Sequence, residues 1–178
     1  FFLFHLLNQT LKTNYMIITP VFVILISVVF ILVWIFAKTI DKRKWVTLII
    51  SILLTPIIYF YVCYPFINIF SNYHHQKYFE TKAWKEKPAL RYEMIQEIID
   101  DSLFIGKNKQ EVENLLGKSE WFGWDDSIKA NSLEKWNYNL GFEPGAFNMM
   151  QECFELEFKN NIVTNVKQYQ LEKTFEEK

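Results

Sequence analysis

The pattern of hydrophobic and polar residues changes abruptly near residue 70. Upstream, two long apolar stretches, residues 17–36 and 45–72, contain no charged side chain. Downstream, apolar residues recur first at helical and then at alternating spacings, with charged residues between them. The first pattern is typical of membrane-spanning helices, and the second of elements with one buried face. The sequence therefore predicts an α+β protein: two N-terminal transmembrane helices followed by a small domain of two helices and an antiparallel four-stranded sheet.

Each apolar stretch is long enough to cross a membrane. A helix of about 20 residues spans a hydrocarbon core of about 30 Å, and residues 17–36 and 46–65 both reach that length. Pro56 is expected to kink the second helix, because proline lacks an N–H group and crowds the preceding turn. We predict a transmembrane hairpin over residues 16–70. The alternative, a pair of helices buried in a soluble core, is disfavoured by the length and apolarity of both stretches.

The charges that flank the stretches predict an orientation. Lys38, Lys42, Arg43 and Lys44 lie in the short loop between them, whereas Lys77 is the single charge in residues 72–79. Loops rich in lysine and arginine stay in the cytoplasm. We therefore expect two spans, with the lipid bilayer as one partner and the C-terminal domain extracytoplasmic, in the periplasm or its equivalent.

Residues 1–15 are unlike a signal peptide, since they have neither a basic start nor a small-residue cleavage site. Met16 stands immediately before the first apolar stretch. We expect Met16 to be the natural start and residues 1–15 to be a non-native N-terminal extension. The alternative is an amphipathic segment that lies at the membrane interface.

Residues 71–87 are polar and are predicted to be a linker to a domain over residues 88–178. A helix is predicted over residues 88–101, because Tyr92, Ile95, Ile98 and Ile99 share one face. Asn108 and a glutamate three residues later are typical of a capping box at the start of a second, short helix. Gly117 is expected to end that helix. Three residues are predicted to form the buried face of the helix. These are Val112, Leu115 and Leu116.

Beyond residue 117 the spacing alternates, and strands are predicted over four ranges. These are residues 120–124, 135–140, 153–159 and 163–169. Asn160 and Asn161 are expected to form a hairpin turn, because asparagine tolerates the positive φ that such turns need. Within the second strand, Trp136, Tyr138 and Leu140 share a face that we assign to the core.

Three runs together resemble a known family. They are Leu103-Phe-Ile-Gly-Lys-Asn-Lys-Gln-Glu-Val-Glu-Asn-Leu-Leu-Gly117, Trp136-Asn-Tyr-Asn-Leu140 and Phe154-Glu-Leu-Glu-Phe-Lys-Asn-Asn-Ile-Val163. Over about residues 90–170 the chain resembles the SmpA/OmlA (BamE-like) domain of bacterial envelope proteins. The resemblance implies a helix-on-sheet fold and a binding or assembly role. It implies no catalytic reaction. The tandem β-lactamase-inhibitor proteins contain a similar unit, which implies binding through the sheet.

Charge and residue content narrow the function classes. Residues 71–178 contain 14 basic and 19 acidic residues, a net charge of −5, so nucleic acid is not an expected partner. No histidine follows His75, and the common nucleophile, phosphate-loop and zinc-protease motifs are absent from the sequence. His74 and His75 lack further ligands at a suitable spacing. We therefore expect no enzyme activity, no catalytic residue, no metal and no cofactor.

Aromatic residues between the second helix and the last hairpin are more numerous than a small core needs. We predict that Trp121, Trp124, Phe142 and Phe147 bind another envelope protein, because exposed aromatic residues are common anchors of interfaces. The alternative for loop 142–147 is that it folds back over the sheet edge. The alternative function is a membrane-tethered enzyme or ligand sensor whose site the sequence does not reveal.

Overall fold

The computed structural model describes residues 16–172 of the 178-residue chain, so the expectation for residues 1–15 lies outside the described residues. The chain divides into two compact units. A helical unit comprises residues 18–75 together with 144–147. A sheet unit comprises residues 16–17, 76–143 and 148–172.

The helical unit is built on two long helices, α1 (Pro20–Ile40) and α2 (Lys44–Phe70). The Thr19 side chain accepts a hydrogen bond from the Phe22 N–H at 3.2 Å, and Pro20 occupies the first turn, so α1 has a favourable N-terminus. Both helices are long and apolar enough to cross a membrane. This part of the predicted fold class is confirmed.

Small hydroxyl side chains occupy the buried stripe of α2. Thr47, Ser51 and Thr55 are all buried and recur every four residues. The Ser51 and Thr55 hydroxyls donate to the carbonyl oxygens four residues earlier, at 2.8 and 2.7 Å. Thr47 Oγ1 donates to the carbonyl oxygens of Asp41 at 2.8 Å and Arg43 at 3.1 Å, just before the helix. All three hydroxyls are thus satisfied, and the stripe of small side chains packs without an orphaned polar group. The buried residues of α1 are Val29, Val33 and Ala37.

Pro56 lies inside α2, where it interrupts the hydrogen-bond ladder without ending the helix. A π-helical turn, Tyr59–Cys63, follows, and α-helix resumes over Tyr64–Phe70. The fully buried Tyr59 belongs to a ring cluster around His75, whose imidazole stacks on Tyr64 with ring centroids 4.3 Å apart. Residues 16–172 hold no group of three or more His, Cys, Asp or Glu side chains placed to bind a metal.

Three short helices belong to the sheet unit: α3 (Thr81–Glu86), α4 (Tyr92–Asp100) and α5 (Lys109–Leu116). A 3₁₀ turn, Pro88–Leu90, precedes α4. At the start of α5 the capping box is complete: the Glu111 N–H donates to Asn108 Oδ1 at 2.9 Å, and the Asn108 N–H donates to Glu111 Oε2 at 2.8 Å. The predicted cap is confirmed, and Gly117 ends the helix at φ +86°.

Helix α3 lies within the segment predicted to be a linker. Trp84 of α3 is fully buried, and its ring meets those of Tyr138 and Phe154 edge-on, with centroids 6.0 and 6.2 Å apart. The surrounding lysines and glutamate make the segment polar on average, but a single large aromatic face is enough to dock a short helix. The core therefore begins earlier in the chain than the predicted boundary at residue 88.

The sheet is antiparallel with strand order β1-β2-β3-β4. Its strands are β1 (Trp121–Asp125), β2 (Ala130–Gly141), β3 (Met150–Lys159) and β4 (Ile162–Glu172). Asn160 and Asn161 join β3 to β4 with φ of +51° and +68°, which confirms the predicted hairpin turn. The α+β fold class with a four-stranded antiparallel sheet is confirmed.

The core of this unit lies between the helices and one face of the sheet. Tyr138 and Leu140 are fully buried, and Trp136 packs at the margin with its ring centroid 4.9 Å from that of Phe158, so the predicted core face of β2 is confirmed. The other buried residues of this core include Ile95, Ile98, Phe104, Val112, Leu116, Phe154, Leu156 and Val163.

A buried arginine joins the helices to the sheet. Arg91 Nε donates to the Trp84 carbonyl oxygen at 2.8 Å, and Nη1 donates to the Asn139 carbonyl oxygen at 2.9 Å. Nη1 also pairs with Glu120 Oε1 at 2.5 Å, and the guanidinium lies 4.9 Å from the centre of the Trp84 ring. Arg91 thus connects α3, the segment before β1, and β2 through one planar group.

Candidate binding groove on the sheet face away from the core

Strand pairing sets one row of side chains across the whole sheet. Trp121 pairs with Asn137, Asn137 with Glu155, and Glu155 with Lys167. Successive residues in a strand point to opposite faces. Since Tyr138 and Leu156 face the core, the row of Asn137 and Glu155 lies on the opposite face.

On this face the sheet forms a groove of about 520 Å³. Its lining combines aromatic residues with charges of both signs. The aromatic members are Trp121, Phe122, Trp124 and Tyr169. The charged members are Asp126, Lys135, Glu155, Glu157 and Lys167, and the remaining members are Gly123, Asn131 and Leu171. We call this surface the sheet groove.

The floor of the sheet groove is a fixed polar network. The Tyr169 hydroxyl donates to Asn137 Oδ1 at 2.8 Å, and Asn137 Nδ2 donates to Glu155 Oε2 at 3.1 Å. Asn137 is 0% exposed, so the amide needs these partners. The network holds the floor residues in one arrangement before any ligand arrives.

Gly123 makes room for this network. A Cβ atom at position 123 would lie 2.2 Å from Glu155 Oε2 and 2.8 Å from Asn137 Nδ2. Both distances are far inside van der Waals contact, so a larger residue would have to displace the carboxylate or the amide. Glycine in this strand therefore marks a close approach of side chains to the β1 backbone.

Burial raises the pKa of two groups on this face. The pKa of Tyr169 is raised to about 12, first by desolvation, and that of Cys153 is raised to about 11 for the same reason. At neutral pH both groups are therefore protonated. A protonated thiol is a poor nucleophile, and a protonated phenol is a hydrogen-bond donor. These shifts suit binding through hydrogen bonds and give no activated group.

Two of the four predicted binding residues meet in the sheet groove. Trp121 and Trp124 both line it, and Trp124 is 57% exposed with its Nε1 donating to Asp126 Oδ1 at 2.9 Å. Phe142 and Phe147 are 36% and 87% exposed, but neither lines the groove, and they belong to different units.

The sequence did not identify the polar residues of the groove as binding residues. Glu155, Glu157 and Lys167 alternate with core residues, so the sequence indicates only that they face away from the core. The same holds for Asn137 and Tyr169. Their alternation was the available signal, but only the strand register reveals that they converge.

The chain matches no protein-family model, no curated protein and no solved structure. The resemblance of residues 90–170 to the SmpA/OmlA domain therefore stays a prediction.

Proposed function

We propose that this chain is a membrane-anchored bacterial envelope protein whose extracytoplasmic domain is a protein-binding or assembly module. Helices α1 and α2 have the length and apolarity of an anchor. The sheet unit has a hydrophobic core of its own, which is what a domain carried by such an anchor requires. The resemblance to BamE-like domains agrees with this proposal.

The charge of the α1–α2 connection supports the orientation. Lys38, Lys42, Arg43 and Lys44 stand within or beside it, and Asp41 forms an ion pair with Arg43 at 2.8 Å. The positive-inside rule counts lysine and arginine and gives acidic residues little weight. The connection is therefore proposed to be cytoplasmic, which leaves the sheet unit outside.

The sheet groove is the observation that carries the binding role. Its floor is held by hydrogen bonds among Asn137, Glu155 and Tyr169, while Trp124 remains exposed at its wall. A rigid site with an exposed aromatic anchor loses little conformational entropy on association. The raised pKa of Tyr169 keeps its hydroxyl protonated at neutral pH, so it can act as the hydrogen-bond donor that this floor needs.

Photo-crosslinking in intact cells tests the proposed role. A photoreactive phenylalanine analogue at Trp124 should give a protein adduct, because that side chain lies exposed at the groove wall. The same analogue at Ile105, which is exposed outside the groove, is the matched control and should give none. A third position, Phe147, tests the loop predicted from the sequence.

Adducts at Phe147 alone would show that the partner binds loop 142–147 and not the sheet groove. Absence of protein adducts at both Trp124 and Phe147 would contradict the proposed function. Gly123→Ala should reduce the adduct at Trp124 several-fold, because the added Cβ collides with Glu155 and disturbs the groove floor.

A second prediction concerns topology. Protease added to intact spheroplasts should remove the chain beyond residue 71, because the sheet unit is proposed to lie outside the cytoplasm. Replacement of Lys42, Arg43 and Lys44 by glutamine should give a mixture of cleaved and protected molecules, since the positive bias is then mostly lost. Immunoblotting with an antibody against the C-terminus measures the protected fraction. Full protection of the unaltered chain would overturn the orientation.

A further inference from the structure

We propose that the sheet groove recognises a lysine or arginine side chain carried by an extended segment of the partner protein. This inference rests on the proposed binding function and names the chemistry that the groove selects. It depends on the unused acceptor capacity of two carboxylates, on the position of the groove lysines, and on the aromatic walls.

Glu155 and Glu157 have acceptor capacity left over. Glu155 Oε2 accepts from Asn137 Nδ2 at 3.1 Å, and Glu157 Oε2 accepts from Asn165 Nδ2 at 3.2 Å. Both donors are neutral amides. Within residues 16–172, neither carboxylate forms an ion pair, and each second oxygen lacks a donor. A cation placed between them would gain charge-assisted hydrogen bonds without breaking the network beneath.

The two lysines of the groove stand opposite these carboxylates in the strand pairing, Lys135 opposite Glu157 and Lys167 opposite Glu155, but within residues 16–172 neither lysine forms an ion pair. Lys135 Nζ donates to the Trp124 carbonyl oxygen at 3.1 Å, and Lys167 Nζ lies 5.8 Å from the centre of the Tyr169 ring. The lining holds three acidic and two basic residues. Residues 71–178 carry a net charge of −5, so the field around the groove also favours a basic partner.

The aromatic walls explain why the cation would be a lysine or arginine side chain. Trp121 and Trp124 line the groove and supply aromatic rings that attract a cation and apolar surface for its aliphatic stem. The lining extends across all four strands, a width of about 14 Å at the usual strand spacing. About four residues of extended chain cover that width. A segment of this length presents one or two side chains to the groove.

Fluorine NMR of the full chain in detergent micelles tests the inference. The protein is labelled with 5-fluorotryptophan, and the resonances of Trp121 and Trp124 are assigned by Trp→Phe variants. The probe is the blocked peptide acetyl-Thr-Lys-Thr-Lys-Thr-amide. Matched peptides replace both lysines by norleucine, which keeps the stem without the charge, or by glutamate, which reverses the charge.

The lysine peptide should shift the resonances of Trp121 and Trp124 and leave that of the buried Trp84 unchanged. The norleucine peptide should bind at least about fivefold more weakly, because it forms no charge-assisted or cation–π contact. The glutamate peptide should give no shift. Glu155→Gln and Glu157→Gln should each weaken binding of the lysine peptide about threefold or more.

Glu86→Gln is the matched control, since it removes an equal charge at an exposed position of α3 outside the groove. This variant should bind the lysine peptide as tightly as the unaltered protein does, within experimental error. The Trp84 resonance reports whether each variant stays folded. Equal binding of the lysine and norleucine peptides, tighter binding of the glutamate peptide, or no response to any peptide would overturn the inference. If crosslinking from Trp124 still captures a protein in that case, the proposed function stands. Absence of protein adducts at both Trp124 and Phe147 would instead contradict the proposed function.

Discussion

Leu156→Asp is expected to unfold the sheet unit. Leu156 of β3 is fully buried in the hydrophobic core. Burying an unpaired charge, together with the loss of the leucine packing, costs more than about 4 kcal/mol. A domain of this size is stable by only about 5–15 kcal/mol, so this change consumes much or all of it.

Leu133→Asp is the matched control for this substitution. Leu133 lies in β2 and is 64% exposed, so the same chemical change buries nothing there and should alter the free energy of unfolding by less than about 0.5 kcal/mol. Thermal melts of the full chain in detergent, followed by near-ultraviolet circular dichroism, measure both variants. A wild-type melting temperature for Leu156→Asp would show that the core is assigned to the wrong face of β3.

Arg91→Met is expected to produce the second largest loss of stability. The substitution keeps an aliphatic stem but removes the donors to the carbonyl oxygens of Trp84 and Asn139 and the partner of Glu120. Leaving buried acceptors without a donor should cost about 2–4 kcal/mol. For a unit of about 100 residues this lowers the melting temperature by at least about 10 °C.

Arg91→Lys separates charge from geometry. An ammonium group keeps the positive charge but does not reproduce the planar fork of the guanidinium, so an intermediate loss is expected. Lys82→Met, at an exposed position of α3, is the control for removal of a positive charge and should be nearly neutral. If Arg91→Met melted at the wild-type temperature, Arg91 would not connect the helices to the sheet energetically.

Features that depend on residues close together in the chain could be predicted before the fold was known. Two uninterrupted apolar stretches are enough to predict α1 and α2, because the length and apolarity of a span are local properties. The capping box of Asn108 and Glu111 and the turn at Asn160 and Asn161 involve residues at most three positions apart. Alternation within β2 and β3 likewise identified the face that packs on the core.

Features that depend on residues far apart in the chain became visible only in the folded protein. Trp84 belongs to the core because rings of β2 and β3 receive it, although its own segment is polar on average. Arg91 is buried because acceptors up to 48 residues away converge on it.

The sheet groove is the clearest case of this dependence. Glu155 and Asn137 meet because β2 and β3 pair in one register, and Tyr169 reaches them because β4 pairs in another. A shift of one residue in either register would turn these side chains to the opposite face. Alternation indicates which residues leave the core, but only the pairing of strands determines which of those residues meet. The physical reason is that register is set by packing over the whole sheet and not by the spacing within any one strand.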